Sequence, residues 1–177
     1  NMLRRCIQIA KPQLKLQQNN ACRMFSTSSI RLNQTTTECE LEYLQEYNNQ
    51  IAVISLNRGR FKNALGKQLL SELKQALHSV RFSEQGKDVR VVILRSKVDG
   101  IFCAGADLKE RAEMTQKETE AFVYDLRSTF SQVEDLPVPT IACISGAALG
   151  GGLELALACD LRVVEQNPKC ILGLSET

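Results

Sequence analysis

The feature that most constrains the fold of this chain is a stretch over residues 145–160, where an apolar run gives way to three consecutive glycines. The apolar run covers residues 141–144, and the glycines are residues 150–152. Glycine lets a backbone turn tightly and approach a ligand closely with its N–H groups turned outward. The segment after the glycines is small and apolar except for Glu154. A strand, a glycine turn and a helix start in this order predict a backbone site for an anion or oxyanion, with a carboxylate beside it.

Glu154 lies among apolar neighbours, Leu153, Leu155 and Ala156. This setting predicts a buried carboxylate, and burial of an unpaired carboxylate raises its pKa or demands partners. An alternative explanation assigns the glycines to close packing of a helix on a strand and places Glu154 in a buried salt bridge. Composition does not decide between the two explanations.

The remaining pattern predicts an α/β fold with a largely parallel sheet. Two β-prone runs flank Asn48 and Asn49 and predict a hairpin, and a capping box at Thr115 predicts the start of a long helix. An amphipathic helix is predicted from the spacing of Leu65, Leu69, Leu70, Leu73, Ala76, Leu77 and Val80. Further strands are predicted over residues 89–94, 140–145 and 161–164. Strands that alternate with helices favour parallel crossover connections.

A second turn has the same form as the glycine turn. It runs over residues 104–107, where Ala104 and Ala106 flank a glycine and Asp107 follows. Adjacent strands of a parallel sheet bring such turns to one edge, which is where ligands bind. Two backbone N–H groups from separate turns can then stabilise one carbonyl oxygen that gains negative charge. A glutamate beside them can move a proton or orient water.

The N-terminal segment of the chain differs in charge from the rest. Residues 1–37 contain six basic residues and no Asp or Glu, which leaves 16 basic against 20 acidic residues in the remainder. This composition predicts a mitochondrial transit peptide over residues 1–37, with the mature start between roughly residues 26 and 38. A disordered basic tail that binds nucleic acid or lipid is the alternative. No apolar run is long enough to span a membrane.

The cysteines and glycines exclude several other classes of site. The seven cysteines form no C-x-x-C pair, so neither a disulfide framework nor a zinc site is indicated, and no metal is expected. Cys103 lies next to a glycine turn, which leaves a reactive thiol as an alternative to a core residue. The glycines match neither a Walker loop nor the G-x-G-x-x-G pattern of dinucleotide sites.

Three motifs, over residues 102–110, 137–142 and 148–160, together resemble the crotonase (enoyl-CoA hydratase/isomerase) superfamily. The resemblance covers about residues 40–177. It implies a crotonase-like (ClpP/crotonase) spiral of ββα units, with residues 38–177 forming the N-terminal part of the domain. The amino-acid sequence of residues 100–111 is similar to that of mitochondrial members, so the resemblance implies a location in the mitochondrial matrix. It also implies water addition to a 2-enoyl-CoA thioester in fatty-acid or branched-chain amino-acid catabolism.

The resemblance also implies roles for individual residues. The backbone N–H groups of Ala106 and Gly151 would form the oxyanion hole, and Glu154 and Glu176 would be the two catalytic glutamates. The loops at Asn63, Ala64 and Ala104 would line the CoA site. No cofactor is implied, because coenzyme A is part of the substrate, and the full-length relatives imply a homo-trimer or hexamer.

The sequence departs from the family pattern in ways that bear on function. The link between residues 164 and 173 is slightly longer than in the pattern, and the chain stops one residue after Glu176, before the family's C-terminal half. A crotonase-fold isomerase or decarboxylase, which needs the oxyanion hole but not both glutamates, is an alternative. An RNA-binding or non-catalytic acyl-CoA-binding protein is another. RNA binding is disfavoured because the part after residue 37 is net acidic.

Overall fold

The computed structural model describes residues 37–174, in which helices and strands alternate. In chain order the elements are β1 (Cys39–Tyr43), β2 (Ile51–Leu56), α1 (Lys67–Phe82), β3 (Val91–Ser96), β4 (Ile101–Cys103), α2 (Leu108–Ala112), α3 (Gln116–Glu134), β5 (Thr140–Ile144), β6 (Ala147–Leu149), α4 (Gly151–Leu157), β7 (Leu161–Val164) and β8 (Leu172–Gly173). The predicted transit peptide lies outside the described residues, apart from Thr37, and so does Glu176. No helix within residues 37–174 is both long and apolar enough to cross a bilayer.

Five strands form the larger sheet, in the order β1-β2-β3-β5-β7. β1 and β2 pair antiparallel, and every other pair in this sheet is parallel. The predicted hairpin is confirmed, and Asn48 and Asn49 both adopt the left-handed conformation at its turn (φ 53° and 60°). The first strand ends at Tyr43 because a 3-10 turn, Gln45–Tyr47, precedes the asparagines.

The predicted amphipathic helix is α1, and its apolar stripe lies in the core. Leu69 and Leu73 are fully buried, in one cluster with Ile54 of β2 and Val92 of β3. Each such leucine stabilises the fold by roughly 1.5–3 kcal/mol. The prediction that Leu65 belongs to this helix is wrong, because the helix begins at Lys67. Leu65 instead forms an isolated parallel bridge with Ala106.

Helix α3 begins at the predicted capping box. The Thr115 hydroxyl accepts a hydrogen bond from the Glu118 N–H at 3.3 Å, and the Glu118 carboxylate accepts one from the Thr115 N–H at 2.8 Å. Phe122 and Val133 are buried on its inner side. This helix packs beside α1, so the two form a helical layer.

The largely parallel pairing is confirmed, and a second sheet that the sequence did not reveal is formed by β4, β6 and β8, in which both strand pairs are parallel. The apolar run that was expected to lead straight into the glycines ends at Ile144. The chain then crosses to the smaller sheet, where Ala147–Leu149 forms β6. A strand of three small residues has too little periodicity to be recognised from sequence. The α/β class itself is confirmed.

Candidate active site

The two predicted turns lie side by side at one end of the smaller sheet. β4 and β6 are parallel neighbours, with Ile101 opposite Ala147 and Cys103 opposite Ala148. The turn after β4 and the glycine turn after β6 therefore leave the sheet at the same end. The predicted meeting of the two turns is thus observed, although the strands belong to a sheet that the sequence did not reveal.

Gly105 lies where the two turns pack closely against each other. Its φ is +92°, and a β-carbon there would lie 2.7 Å from the Leu149 oxygen and 3.4 Å from the Gly151 nitrogen. Only glycine combines this conformation with so close a neighbour without strain. The residue next to it, Ala106, is thereby placed beside Gly151.

The Ala106 and Gly151 N–H groups are available as donors. The Ala106 nitrogen lies 4.0 Å from the position that a β-carbon of Gly151 would occupy. No backbone or side-chain acceptor within residues 37–174 is hydrogen-bonded to either N–H. Two donors this close together, left without partners by the fold, can stabilise one developing negative charge.

The Leu65 bridge explains why the Ala106 N–H is left over. The Leu65 N–H donates to Gly105 O at 2.7 Å, and the Asp107 N–H donates to Leu65 O at 3.2 Å. In a parallel bridge the bonds run to the residues on either side of the partner, so the partner's own N–H points away. The bridge therefore fixes the Ala106 peptide while leaving its donor unused.

Glu154 lies in the first turn of α4, and the prediction of its burial is wrong because its side chain is exposed. In α4 the residues that face the core are Gly152, Leu155 and Ala156, and Glu154 points the other way. Its carboxylate oxygen lies 3.6 Å from the β-carbon position of Gly151, so it reaches back to the donor turn. Within residues 37–174 it has no ion-pair partner, which argues against a buried salt bridge.

Asn63 is fully buried, and its side chain joins separate segments of the chain through hydrogen bonds. Its amide oxygen accepts from the Arg58 N–H at 2.7 Å, and its amide nitrogen donates to Ser96 Oγ at 2.8 Å and to Phe102 O at 3.0 Å. Ala64 is also buried, and Ala104 is half-buried with its N–H donating to Lys62 O. The assignment of these loops to a CoA site stays a prediction, and the Asn63 side chain supports the loop from inside.

A group of charged residues that the sequence did not single out surrounds the Ala106 turn. The Arg58 guanidinium donates to Asp107 at 2.6 Å, to Glu38 at 2.9 Å and to the Ala64 carbonyl at 2.9 Å. Asp107 also caps α2 by accepting from the Lys109 and Glu110 N–H groups. The sequence alone gives Arg58 no role at this turn. In the sequence, Asp107 three residues before Glu110 fits the start of a helix. That pattern does not indicate a cationic partner for Asp107.

The Asp107 carboxylate is ionised in this setting. Burial disfavours its charge, but the Glu110 N–H and the Arg58 guanidinium outweigh burial and hold the pKa of Asp107 below its usual value. Arg58 is desolvated too, and its bonds to Asp107 and Glu38 raise its pKa. Both partners therefore remain charged at neutral pH.

Cys103 lies beneath the same turn and is not a reactive thiol. It is fully buried, its thiol donates to Asn63 O at 3.0 Å, and burial raises the pKa of the thiol to about 12. A thiol with so high a pKa has almost no nucleophilic thiolate at pH 7. Within residues 37–174, moreover, no three His, Cys, Asp or Glu side chains are grouped to hold a metal ion.

Comparisons with known proteins by sequence and by structure indicate the same protein family. A family model described as enoyl-CoA hydratase/isomerase matches residues 46–177. The chain is 51% identical over 143 residues to methylglutaconyl-CoA hydratase, mitochondrial, of Mus musculus, which covers 81% of this chain and 44% of that protein. It is 49% identical over 142 residues to enoyl-CoA hydratase domain-containing protein 2, mitochondrial, of Mus musculus, covering 80% of this chain and 46% of that protein.

Solved structures of enoyl-CoA hydratases share the fold. The enoyl-CoA hydratase from Bacillus anthracis superposes with a TM-score of 0.64 at 43% identity, covering 72% of this chain and 47% of that one. An enoyl-CoA hydratase/isomerase from Xanthobacter autotrophicus Py2 gives a TM-score of 0.67 at 29% identity, covering 78% and 49%. The chain spans less than half the length of these curated relatives. With the motifs, the fold and the paired turns in agreement, the chain belongs to the enoyl-CoA hydratase/isomerase (crotonase) family.

Proposed function

We propose that this protein is a mitochondrial enoyl-CoA hydratase, a lyase that adds water to a 2-enoyl-CoA thioester. The observation that carries the proposal is the pair of unused N–H groups of Ala106 and Gly151, which the fold brings together from two parallel turns. Family membership supports it, as do relatives that are named hydratases. A methyl-branched enoyl-CoA such as methylglutaconyl-CoA is a candidate substrate because one of these relatives is named for it.

The proposed reaction adds water without any oxidant or reductant. The water oxygen bonds to C3 of the enoyl group, the C2=C3 electron pair moves toward C2, and the thioester oxygen gains negative charge. The Ala106 and Gly151 N–H groups stabilise that enolate oxygen, and a proton taken from the water is delivered to C2. Removing one such donor typically costs about 10²–10³ in kcat, which is the scale of the effect expected at this site.

The two predicted glutamates would hold the water and transfer its proton. Glu154 lies in the first turn after the Gly151 donor, and its exposure leaves the carboxylate accessible to a ligand. For Glu176 the proposal rests on the family resemblance and on the preceding strand β8, where the Gly150 N–H donates to Gly173 O at 2.8 Å. Glu176 follows Gly173 by three residues in the sequence, which is compatible with a role at the same turn.

Steady-state hydration assays of the protein with crotonyl-CoA and methylglutaconyl-CoA test the proposal. Turnover of at least one substrate is expected. Glu154→Gln should lower kcat by about 10²–10⁴, because it removes a general acid–base group. The matched control is Glu134→Gln, which changes an exposed glutamate at the end of α3 and should leave kcat unaltered. A folded protein that hydrates neither substrate would contradict the proposal.

Location and assembly form part of the same proposal. The relatives are named mitochondrial, and the basic, acid-free residues 1–37 are consistent with import into the matrix. Fractionation of cells that express the protein would test the location. Sedimentation would test the proposed homo-trimer or hexamer.

A further inference from the structure

One guanidinium nitrogen holds both sides of the bridge that orients the Ala106 N–H. Arg58 Nη1 donates to Asp107 Oδ2 at 2.6 Å and to the Ala64 carbonyl at 2.9 Å. Asp107 directly follows Ala106 in the sequence. Ala64 directly precedes Leu65, which is the bridge partner of Ala106. The same nitrogen therefore ties together the two backbone segments whose pairing leaves the Ala106 donor unused.

Arg58 is itself fixed from several directions. Its Nε donates to Glu38 at 2.9 Å, its other terminal nitrogen lies 3.9 Å from a Glu110 oxygen, and its guanidinium stacks on the Phe61 ring at 4.2 Å. Only 11% of its side chain is exposed. Charge-assisted bonds with this degree of burial hold their partners in one geometry.

Asp107 transmits this constraint to the donor turn. Its other oxygen accepts from the Lys109 and Glu110 N–H groups at 3.1 Å each, and its own N–H is bonded to Leu65 O. The peptide that carries the Ala106 N–H is thus flanked by a residue that is held at its N–H and at both carboxylate oxygens. A substitution that weakens the hydrogen bonds of Arg58 would remove one of these restraints without changing a group that touches the substrate.

We infer that Arg58 is a positioning residue for the oxyanion hole, acting through Asp107 and Ala64 to aim the Ala106 N–H at the thioester oxygen. The inference rests on the proposed hydratase function. A donor that is misaimed binds the ground-state substrate almost as well but stabilises the enolate less. The expected signature is therefore a loss in kcat with little change in KM.

The test compares Arg58→Lys and Asp107→Asn with a control. Lysine keeps the charge but cannot bond Asp107, Glu38 and Ala64 in one fixed fork. Asparagine keeps an oxygen for the α2 cap but loses the ion pair. The control, Asp160→Asn, perturbs the bonds of Asp160 with Thr140 at the far end of α4 from Gly151.

Four quantities are measured for each variant: stability to urea, kcat, KM and the absorption band of a bound, conjugated aryl-enoyl-CoA. That band moves to the red when the thioester carbonyl accepts hydrogen bonds, so it reports the donors without turnover. We expect both site variants to lower kcat by about 10- to 100-fold, with KM within about threefold of wild type. The red shift should shrink. The control should lose stability while kcat and the red shift stay as in wild type.

The outcomes separate this inference from the proposed function. If the wild type hydrates enoyl-CoA and both site variants keep its kcat and red shift, the inference is wrong and the function stands. A loss of kcat no greater than that of Asp160→Asn, with an intact red shift, would likewise reduce Arg58 to a stabilising residue. A wild type with neither turnover nor red shift overturns both. If Arg58→Lys does not fold, Asp107→Asn decides by the same criteria.

Discussion

Replacing Gly152 by alanine tests how closely α4 packs on β4. A β-carbon at residue 152 would lie 2.3 Å from the Cys103 oxygen and 2.7 Å from the Cys103 β-carbon. Both atoms belong to a buried strand end and cannot move aside as a flexible side chain would. The helix or the strand must therefore shift, and the donor turns on either side would shift with them.

The magnitude follows from two opposing effects. Alanine gains about 1 kcal/mol over glycine in helix propensity. Overpacking against a rigid neighbour costs about 3 kcal/mol. The variant should therefore be less stable by about 2 kcal/mol, which for a chain of this size lowers Tm by roughly 4–8 °C.

Gly151→Ala is the matched comparison, because it adds the same methyl group one residue earlier. Its β-carbon would meet Leu65 Cδ1 at 3.2 Å, and that side-chain end can yield. Its stability should stay within about 1 kcal/mol of wild type, since the helix propensity gained offsets the contact. The methyl would lie 4.0 Å from the Ala106 nitrogen, next to the two donors, and should lower kcat by about 100-fold.

Urea unfolding followed by circular dichroism, together with the hydration assay, measures both variants. A Gly152→Ala protein as stable as wild type would falsify the close packing of α4 on Cys103. Equal stability losses in the two variants would also contradict it, because the two β-carbons meet such different neighbours.

Three further predictions concern stability and reactivity. Bonds from the Thr140 N–H and hydroxyl hold the pKa of Asp160 below its usual value, so its stabilisation is present above about pH 4 and lost as pH falls through the lowered pKa. Asp160→Asn should cost about 1 kcal/mol at pH 7, with the gap closing in acid; a gap that persists at pH 2 contradicts this. Cys103 should resist alkylation at pH 8 until the protein unfolds, and rapid labelling of the native protein, detected by mass spectrometry, refutes its burial. Thr115→Ala should lower stability by about 1 kcal/mol in thermal unfolding, and an unchanged Tm would mean that the capping box contributes nothing.

Local patterns in the sequence were enough to predict most of the larger sheet and its helices. The asparagine turn, the α1 stripe and the capping box at Thr115 depend on residues within one or two turns of each other. These patterns involve residues that are close together in the sequence, so they can be recognised without knowledge of the tertiary contacts. The meeting of the Ala106 and Gly151 turns was also predicted, because parallel strands end at a common edge.

The features that were missed depend on contacts between distant segments. β6 is recognisable only by its pairing with β4 and β8. Arg58 is 49 residues from Asp107, and no periodic pattern links them. Glu154 was expected to be buried because its sequence neighbours are apolar, but a helix has two faces and its own face points outward. The hydrogen bonds of the buried Asn63 side chain to Ser96 and Phe102 also join segments that are more than 30 residues apart in the sequence.

The two donors of the site are made at different times during synthesis. The bridge and the ion pairs that hold the Ala106 peptide, from Glu38 through Arg58 and Leu65 to Glu110, all precede residue 111. Gly151 leaves the ribosome 45 residues after Ala106, which is about 2–9 s later at typical rates of translation. The first half of the proposed oxyanion hole can therefore take its final shape as a template on which β6 and the glycine turn dock. Because parallel pairing of distant segments is slow, a preformed first half shortens the search that the second half must make.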